Sequence, residues 1–246
     1  MGRLQKAHVV VAGLGGVGSW VAEALARSGI GKLSLIDMDH VALSNLNRQV
    51  HALHSTLGMA KIEAMAQRLR DISPAIELAL HDTFLSLDNL EQCIPGDCDG
   101  VADAIDQPVV KAALIAHLRQ KQIPVVVCGA AGGRTDPLAL RHADLALTTQ
   151  DPLLARVRHH LRRQHGFPRE VGRIFGVGAV YSVEARRGQI PTGFEASSGA
   201  SRTGRDSDGA LPGATLACAG YGSSVMLSAS LGMHCAVRIV HKLLTI

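Results

Sequence analysis

Between residues 13 and 106 the chain carries residue types, at spacings, suited to holding a phosphorylated nucleotide. Gly13, Gly15 and Gly18 fit G-x-G-x-x-G, with Gly16 inside the run, in the stretch "VVVAGLGGVGSW". Glycines at these places allow a tight turn and let the backbone come close to phosphates. A helix beginning near Val17 would add its unpaired N–H groups and partial positive charge. Asp37 follows Gly18 by nineteen residues, the place of a ribose-binding carboxylate. To this point NAD and ATP are served equally well.

The next residues favour a triphosphate. Asn45, Arg48 and Lys61 lie downstream of the acidic strand end, where a nicotinamide enzyme has no use for them. A triphosphate, with about twice the negative charge of a dinucleotide, needs such groups to stabilise charge building on the pentavalent α-phosphate. Lys61 lies in "GMAK", early on a predicted helix that could point toward the phosphates, and Asp106 in "DAID" stands just past a strand end, like a magnesium ligand. Taken singly, Lys61 is an ordinary solvated lysine and Asp106 a helix cap; their order along the chain is what carries the reading.

Alternating elements must position these residues. Apolar runs predict strands at 8–12, 32–36, 76–80, 100–104 and 124–128, with helices at 17–28, 56–70 and 109–120 between them. This alternation predicts a doubly wound, Rossmann-like α/β fold with a mostly parallel sheet, its ligand crevice beyond the carboxyl ends of the strands. After Gly129 the pattern changes to a glycine turn, an apolar strand and a basic helix, with Asp151 as N-cap and Pro152 in the first turn. Residues 185–214 are rich in Gly, Ser, Thr and Arg and read as a mobile loop. The uncharged stretch 210–237 is too broken by Gly and Ser for a membrane span and reads as a buried terminal helix. The expected organisation is one domain over 1–246, its core at about 6–150 and a C-terminal extension lobe at 151–246.

Composition narrows the class. Hydrophobic residues make up 47% of the 246, but aromatics only 3%, so the core must be aliphatic. Five scattered cysteines give neither a disulfide framework nor paired zinc motifs, and the chain reads as cytoplasmic with reduced thiols. Cys128, at a strand end, reads as a buried core thiol. The net charge of +4 is mild, yet residues 151–187 hold eight Arg against three acids. That surplus suits either a phosphate-facing surface or an ordinary solvated helix face.

The run "GLGGVGSW…LIDMDHVALSNLNRQ…GMAK…DAID" resembles the adenylating domain of the ubiquitin-activating-enzyme family, which includes the molybdopterin- and thiamine-biosynthesis sulfur-carrier activators. The continuation "KAALIAHLRQKQIPVVVCGAAGGRTDPLALRHADLALTTQDPLLARVR" is most similar to the branch that dehydrates threonylcarbamoyladenosine in tRNA. The resemblance spans roughly residues 6–165. It implies that Gly13, Gly15, Gly16 and Gly18 form the adenine-side turn and that Asp37 binds the ribose. It also implies that Asn45, Arg48 and Lys61 contact phosphates, and that Asp106 holds magnesium or the adenylate. The implied reaction is attack of a carboxylate on the α-phosphate of ATP, giving an acyl-adenylate and pyrophosphate. In the tRNA branch the threonyl carboxylate is activated, and the carbamoyl nitrogen of the same nucleoside closes a ring; tethering makes a protein nucleophile unnecessary.

The resemblance further implies a homodimer and a tRNA partner, for which Arg156, Arg158, Arg162 and Arg163 are the expected backbone contacts. Relatives of this type usually carry a further segment before the first strand, with an arginine that reaches the partner's ATP site; here the residues before the first strand offer only Arg3, a departure from that pattern. The alternatives are activation of the C-terminal carboxylate of a small ubiquitin-like sulfur carrier, with a sulfur-transfer partner, a nicotinamide oxidoreductase, or a non-catalytic nucleotide-binding scaffold.

Overall fold

In the structure, a computed structural model, residues 2–185 and 222–245 are described. Seven strands, β1 His8–Ala12, β2 Lys32–Ile36, β3 Glu77–His81, β4 Gly100–Asp103, β5 Val125–Cys128, β6 Leu140–Asp144 and β7 Gly178–Ser182, form one sheet in the order β3-β2-β1-β4-β5-β7-β6. Every neighbouring pair is parallel except β6 and β7. Strand order reverses between β1 and β4, so the two connections leaving that point run to opposite faces and open a crevice at the strands' carboxyl ends.

Helices α1 Gly2–Lys6, α2 Gly18–Arg27, α3 Lys61–Ile72, α4 Leu90–Cys93, α5 Pro108–Gln120, α6 Pro152–Gln164 and α7 Val225–Thr245 cover both faces. Alternate residues of β1 show why. Val9 and Val11 pack with Leu25 of α2, Met65 of α3 and Leu231 of α7. Val10 and Ala12 pack with Leu114 of α5 and Leu154 of α6. A strand buried on both sides needs an unbroken apolar run, and HVVVA supplies it.

The C-terminal extension adds α7 to the first of these layers. Leu227, Leu231, Cys235, Ile239 and Leu243 recur every four residues along its buried stripe, and each fully buried leucine or isoleucine is worth about 1.5–3 kcal/mol. The stretch 210–237 is thus helical from Val225 onward, while 210–221 lies outside the described residues. Among the described residues no helix is long and apolar enough to cross a membrane. Residues 186–214 of the Gly/Ser-rich segment, including 195–212, also lie outside the described residues.

Two elements differ from the sequence expectation. The helix expected from residue 56 starts at Lys61. His54–Thr56 form a separate 3-10 turn, Gly58 takes φ +81°, and Val41 exchanges backbone hydrogen bonds with Gly58 and Met59. Long-range pairing thus claims the backbone that helical periodicity would have used. Strand β7 was not anticipated; it enters between β5 and β6, and its partners are far away in sequence.

Gly232 sets the spacing between α7 and α2. A Cβ there would lie 2.6 Å from the Val17 carbonyl oxygen and 2.8 Å from Trp20 Cβ. Gly232→Ala should therefore push the helices apart and cost about 1–3 kcal/mol, despite alanine's better helix propensity. Thermal denaturation checks this: an unchanged or higher Tm would mean the contact does not govern the packing.

Candidate active site

A cleft of about 450 Å³ opens at the switch point, and its walls come from the carboxyl ends of β1, β2, β4 and β5. Gly13, Gly15, Gly16, Asp37, Asn45, Arg48, Lys61 and Asp106 all line it. Gly18 does not; it lies beneath the turn, where a Cβ would sit 1.8 Å from the Gly13 carbonyl oxygen. Gly13 takes φ +88°, open to glycine without strain. Gly15 has open space where a Cβ would be, so the turn is bare on its cleft side.

Asp37 sits at the end of β2, with Oδ2 accepting the Leu14 amide at 2.7 Å and Oδ1 the Asp39 amide at 2.9 Å. These bonds fix the carboxylate against the glycine turn and leave lone pairs for a further donor. Burial pushes its pKa up, and the Lys61 ammonium, 3.9 Å from Oδ1, opposes the shift. Lys61, the first residue of α3, is itself buried and donates to Asp39 Oδ2 at 2.6 Å. Its backbone amide donates to the Asp39 carbonyl at 2.9 Å. Lys61 is therefore a desolvated cation held at the cleft wall by two carboxylates, poised to take a more highly charged partner.

Asn45 and Arg48 come from the turn between β2 and α3. Asn45 Oδ1 accepts the Ala42 amide at 3.1 Å, which leaves its NH₂ group as the donor end. The Arg48 guanidinium donates to the Ser44 carbonyl at 2.6 Å and Asn47 Oδ1 at 3.1 Å, and its carbonyl accepts the Trp20 indole N–H at 2.9 Å. Its aliphatic stem lies over Gly16. Gln49, next to it, is buried and lines the cleft.

Asp106 stands on the turn after β4, and that turn is built on a pair the sequence reading missed. Asp103 and Lys111 are fully buried, with Nζ 2.8 Å from Oδ1 and donating also to the carbonyls of Asp103 (2.9 Å) and Ile105 (3.0 Å). Asp103 Oδ1 in turn accepts the Ile105 amide. Burial pushes the Asp103 carboxyl up and Lys111 counteracts it. A lysine inside the apolar run "VVKAALIA" was the available signal: a cation there must be buried with a partner. Cys128 ends β5 as a buried thiol near Cys235, whose own thiol is pushed up by that contact and by burial.

Among the described residues no group of three or more His, Cys, Asp or Glu could hold a metal by itself. Magnesium, however, is commonly held by one or two carboxylates with the remaining ligands from phosphates and water, a role Asp106 suits at the cleft rim.

The four arginines of α6 divide. Arg158 donates to Thr148 Oγ1, and burial lowers its pKa. Arg162 donates to the Pro168 carbonyl at 3.1 Å and stacks on Phe175. Arg156 and Arg163 are exposed, seven residues apart and so on one helix face. The helix starts at the cleft, where Leu153 is a wall residue.

His51, on the same turn as Arg48, is buried with neither ring nitrogen hydrogen-bonded, and burial beside Lys61 and Arg68 lowers its pKa to about 4. Below pH 6.5 the unfolded chain takes up a proton that the folded chain refuses until about pH 4, so this residue removes stability across that window as pH falls. His51→Leu should flatten the pH dependence of urea unfolding between those values; equal slopes for both proteins would refute it. Lys111→Met should cost about 3–5 kcal/mol near neutral pH by stranding Asp103, and less as falling pH protonates that carboxylate. Urea midpoints at two pH values read this directly.

The chain is 41% identical over 245 residues to a tRNA threonylcarbamoyladenosine dehydratase of Haemophilus influenzae, covering 99% of this chain and 88% of the relative. It superposes on the crystal structure of E. coli tRNA N6-threonylcarbamoyladenosine dehydratase, TcdA, in complex with ATP, with TM-score 0.82 and 38% identity over 98% of this chain and 87% of that one. A molybdopterin-synthase adenylyltransferase of Haemophilus influenzae is 33% identical over 50% of the chain and 51% of its own length. The ThiF family profile matches residues 1–168, and the chain belongs to the ThiF family.

Proposed function

We propose that this chain is an ATP-dependent tRNA threonylcarbamoyladenosine dehydratase. The observation that carries the reading is the convergence of Asp37, Asn45, Arg48, Lys61 and Asp106 on one cleft at the sheet's switch point. The relatives named as dehydratases over nearly the whole chain favour tRNA as substrate over a small carrier protein, whose activator matches only half of it.

In this reading Asp37 accepts the ribose hydroxyls of ATP, and the glycine turn borders the adenosine. Asn45, Arg48 and Lys61 contact the phosphates. Magnesium, when bound at Asp106, would neutralise phosphate charge. A threonyl carboxylate oxygen attacks the α-phosphorus, a P–O bond forms, and pyrophosphate leaves. The carbamoyl nitrogen then attacks the acyl carbon, the C–O bond to AMP breaks, and the N–H proton passes to solvent. The carboxylate oxygen departs on AMP, so the nucleoside loses the elements of one water. Lys61 and Arg48 act where charge accumulates on phosphorus, in a wall already desolvated.

Exposed Arg156 and Arg163, on the helix that begins at the cleft, form the surface for the tRNA backbone, with Arg158 and Arg162 shaping the helix's inner side. A homodimer and a cytoplasmic location fit an enzyme of this kind.

The test is α-labelled ATP turnover with and without tRNA bearing threonylcarbamoyladenosine, followed by nucleoside mass analysis. The expected result is AMP release dependent on the tRNA, with loss of one water from the nucleoside. AMP release only with a ubiquitin-like carrier protein would move the chain to the sulfur-carrier activators, and no AMP in any case would leave a nucleotide-binding scaffold. Lys61→Ala should lower AMP release at least about 100-fold while keeping the far-ultraviolet circular dichroism of the parent; undiminished turnover would remove Lys61 from the chemistry.

A further inference from the structure

The loop 129–133 forms the wall of the cleft at the end of β5, and it is fastened from behind by a second buried ion pair. Asp151, the N-cap of α6, accepts the Leu154 amide at 3.0 Å on Oδ1. Its Oδ2 accepts the Ala130 amide at 2.9 Å and lies 3.3 Å from Arg134 Nη1. Both side chains are fully buried. Arg134 also donates to the carbonyls of Ala130, Gln150 and Glu184, the last at 3.0 Å from Nε. The loop rests so closely on this carboxylate that a Cβ at Gly129 would lie 2.3 Å from Asp151 Oδ2. Glu184 clamps the far end by accepting the Thr135 and Asp136 amides at 2.9 and 2.8 Å.

The use of the loop's own amides is uneven. Gly129 donates to the Val180 carbonyl, Ala130 to Asp151 and Gly133 to the Gly222 carbonyl. Between them, Ala131 and Gly132 line the cleft, Gly132 is buried, and neither amide has an acceptor among the described residues. A buried N–H without an acceptor is costly, so the Gly132 amide, beside the half-buried Ala131 amide on the same braced cleft wall, calls for an anionic or carbonyl oxygen.

We propose that the Ala131 and Gly132 amides form the subsite for the acyl oxygen of the carboxylate substrate, and that Arg134 and Asp151 are positioning residues that hold this subsite in place. The inference rests on the adenylating activity proposed above, which supplies the acyl group. The cations already described, Arg48 and Lys61, lie on the opposite, β2 side of the cleft, where the phosphates would be. The acyl oxygen gains negative charge when the carbamoyl nitrogen adds to the carbon and loses it when AMP leaves. Fixed amide donors stabilise that charge without reorganising, and removing one such donor typically costs about 100- to 1000-fold in rate. Arg134 can make this array rigid because its planar guanidinium holds several acceptors in one fixed geometry, whereas an ammonium on a flexible stem fixes no such plane.

The direct test uses the unaltered protein. Amide hydrogen exchange is followed by NMR with AMP and with a sulfamoyl-linked acyl-adenylate analogue carrying an N-carbamoyl-threonyl group. The analogue should slow exchange at Ala131 and Gly132 at least about tenfold beyond AMP. An analogue that binds without this protection, or that binds no more tightly than AMP, would overturn the subsite. Substitution reads the positioning role: Arg134→Gln should lower kcat with the modified tRNA about 30-fold, with the ATP KM changed less than about twofold, and Arg134→Lys should recover part of it. A fall in ATP affinity as large as the fall in kcat, or unchanged kcat, would make the pair a structural brace only. Failure of the activity reading itself would show separately, as no tRNA-dependent AMP release from the unaltered protein.

Discussion

The close approach of three backbone segments at the switch point is the constraint on which the rest of the structure depends. The glycine turn leaves β1, α2 begins on top of it, and β4 ends alongside. A side chain at Gly18 would meet the Gly13 carbonyl at 1.8 Å and Ala104 Cβ at 3.1 Å, and one at Gly13 would meet the Ala104 carbonyl at 3.2 Å. Only bare backbone allows α2 to start there. Since α2 in turn supports α7 through the contact at Gly232, the terminal helix inherits its place from the same turn.

Around that turn the cleft rim is organised by buried carboxylates, each matched to a cation from another element. Asp37 faces Lys61, Asp103 faces Lys111, and Asp151 faces Arg134. None of these pairs is strong evidence for net stability, because desolvation offsets much of the attraction. Their geometry explains them better: each carboxylate also accepts a hydrogen bond from loop backbone, from Leu14, Ile105 and Ala130 respectively. Lys61 is the exception among the cations, since it alone of the three lies on the cleft wall.

The basic helix shows how tertiary context edits a charge run. In sequence its arginines are equivalent. In the fold, Arg158 and Arg162 turn to Thr148 and to Pro168 with Phe175, while Arg156 and Arg163 face outward. A phosphate-facing surface built on this helix is therefore narrower than the count of arginines suggests, and it begins at the cleft because Asp151 both caps the helix and anchors the loop beside the site.

Local rules determined a good deal by themselves. The apolar runs of β1 and β2, the helix between them, the Asp151 cap with Pro152, and the tight glycine turn after β1 all depend on spacing over a few residues, which a sequence displays. So did the cleft's named phosphate and ribose candidates, because they lie at the ends of elements that the alternation located. What only the tertiary structure decided involves partners distant along the chain. The late start of α3 follows from pairing with the segment at Val41; β7 inserts between strands that precede it in sequence; and Asp103, Lys111 and Arg134 gain their roles from burial against other elements. A buried charge is stable only where its partner and its acceptors converge, and that convergence exists only once the chain has folded.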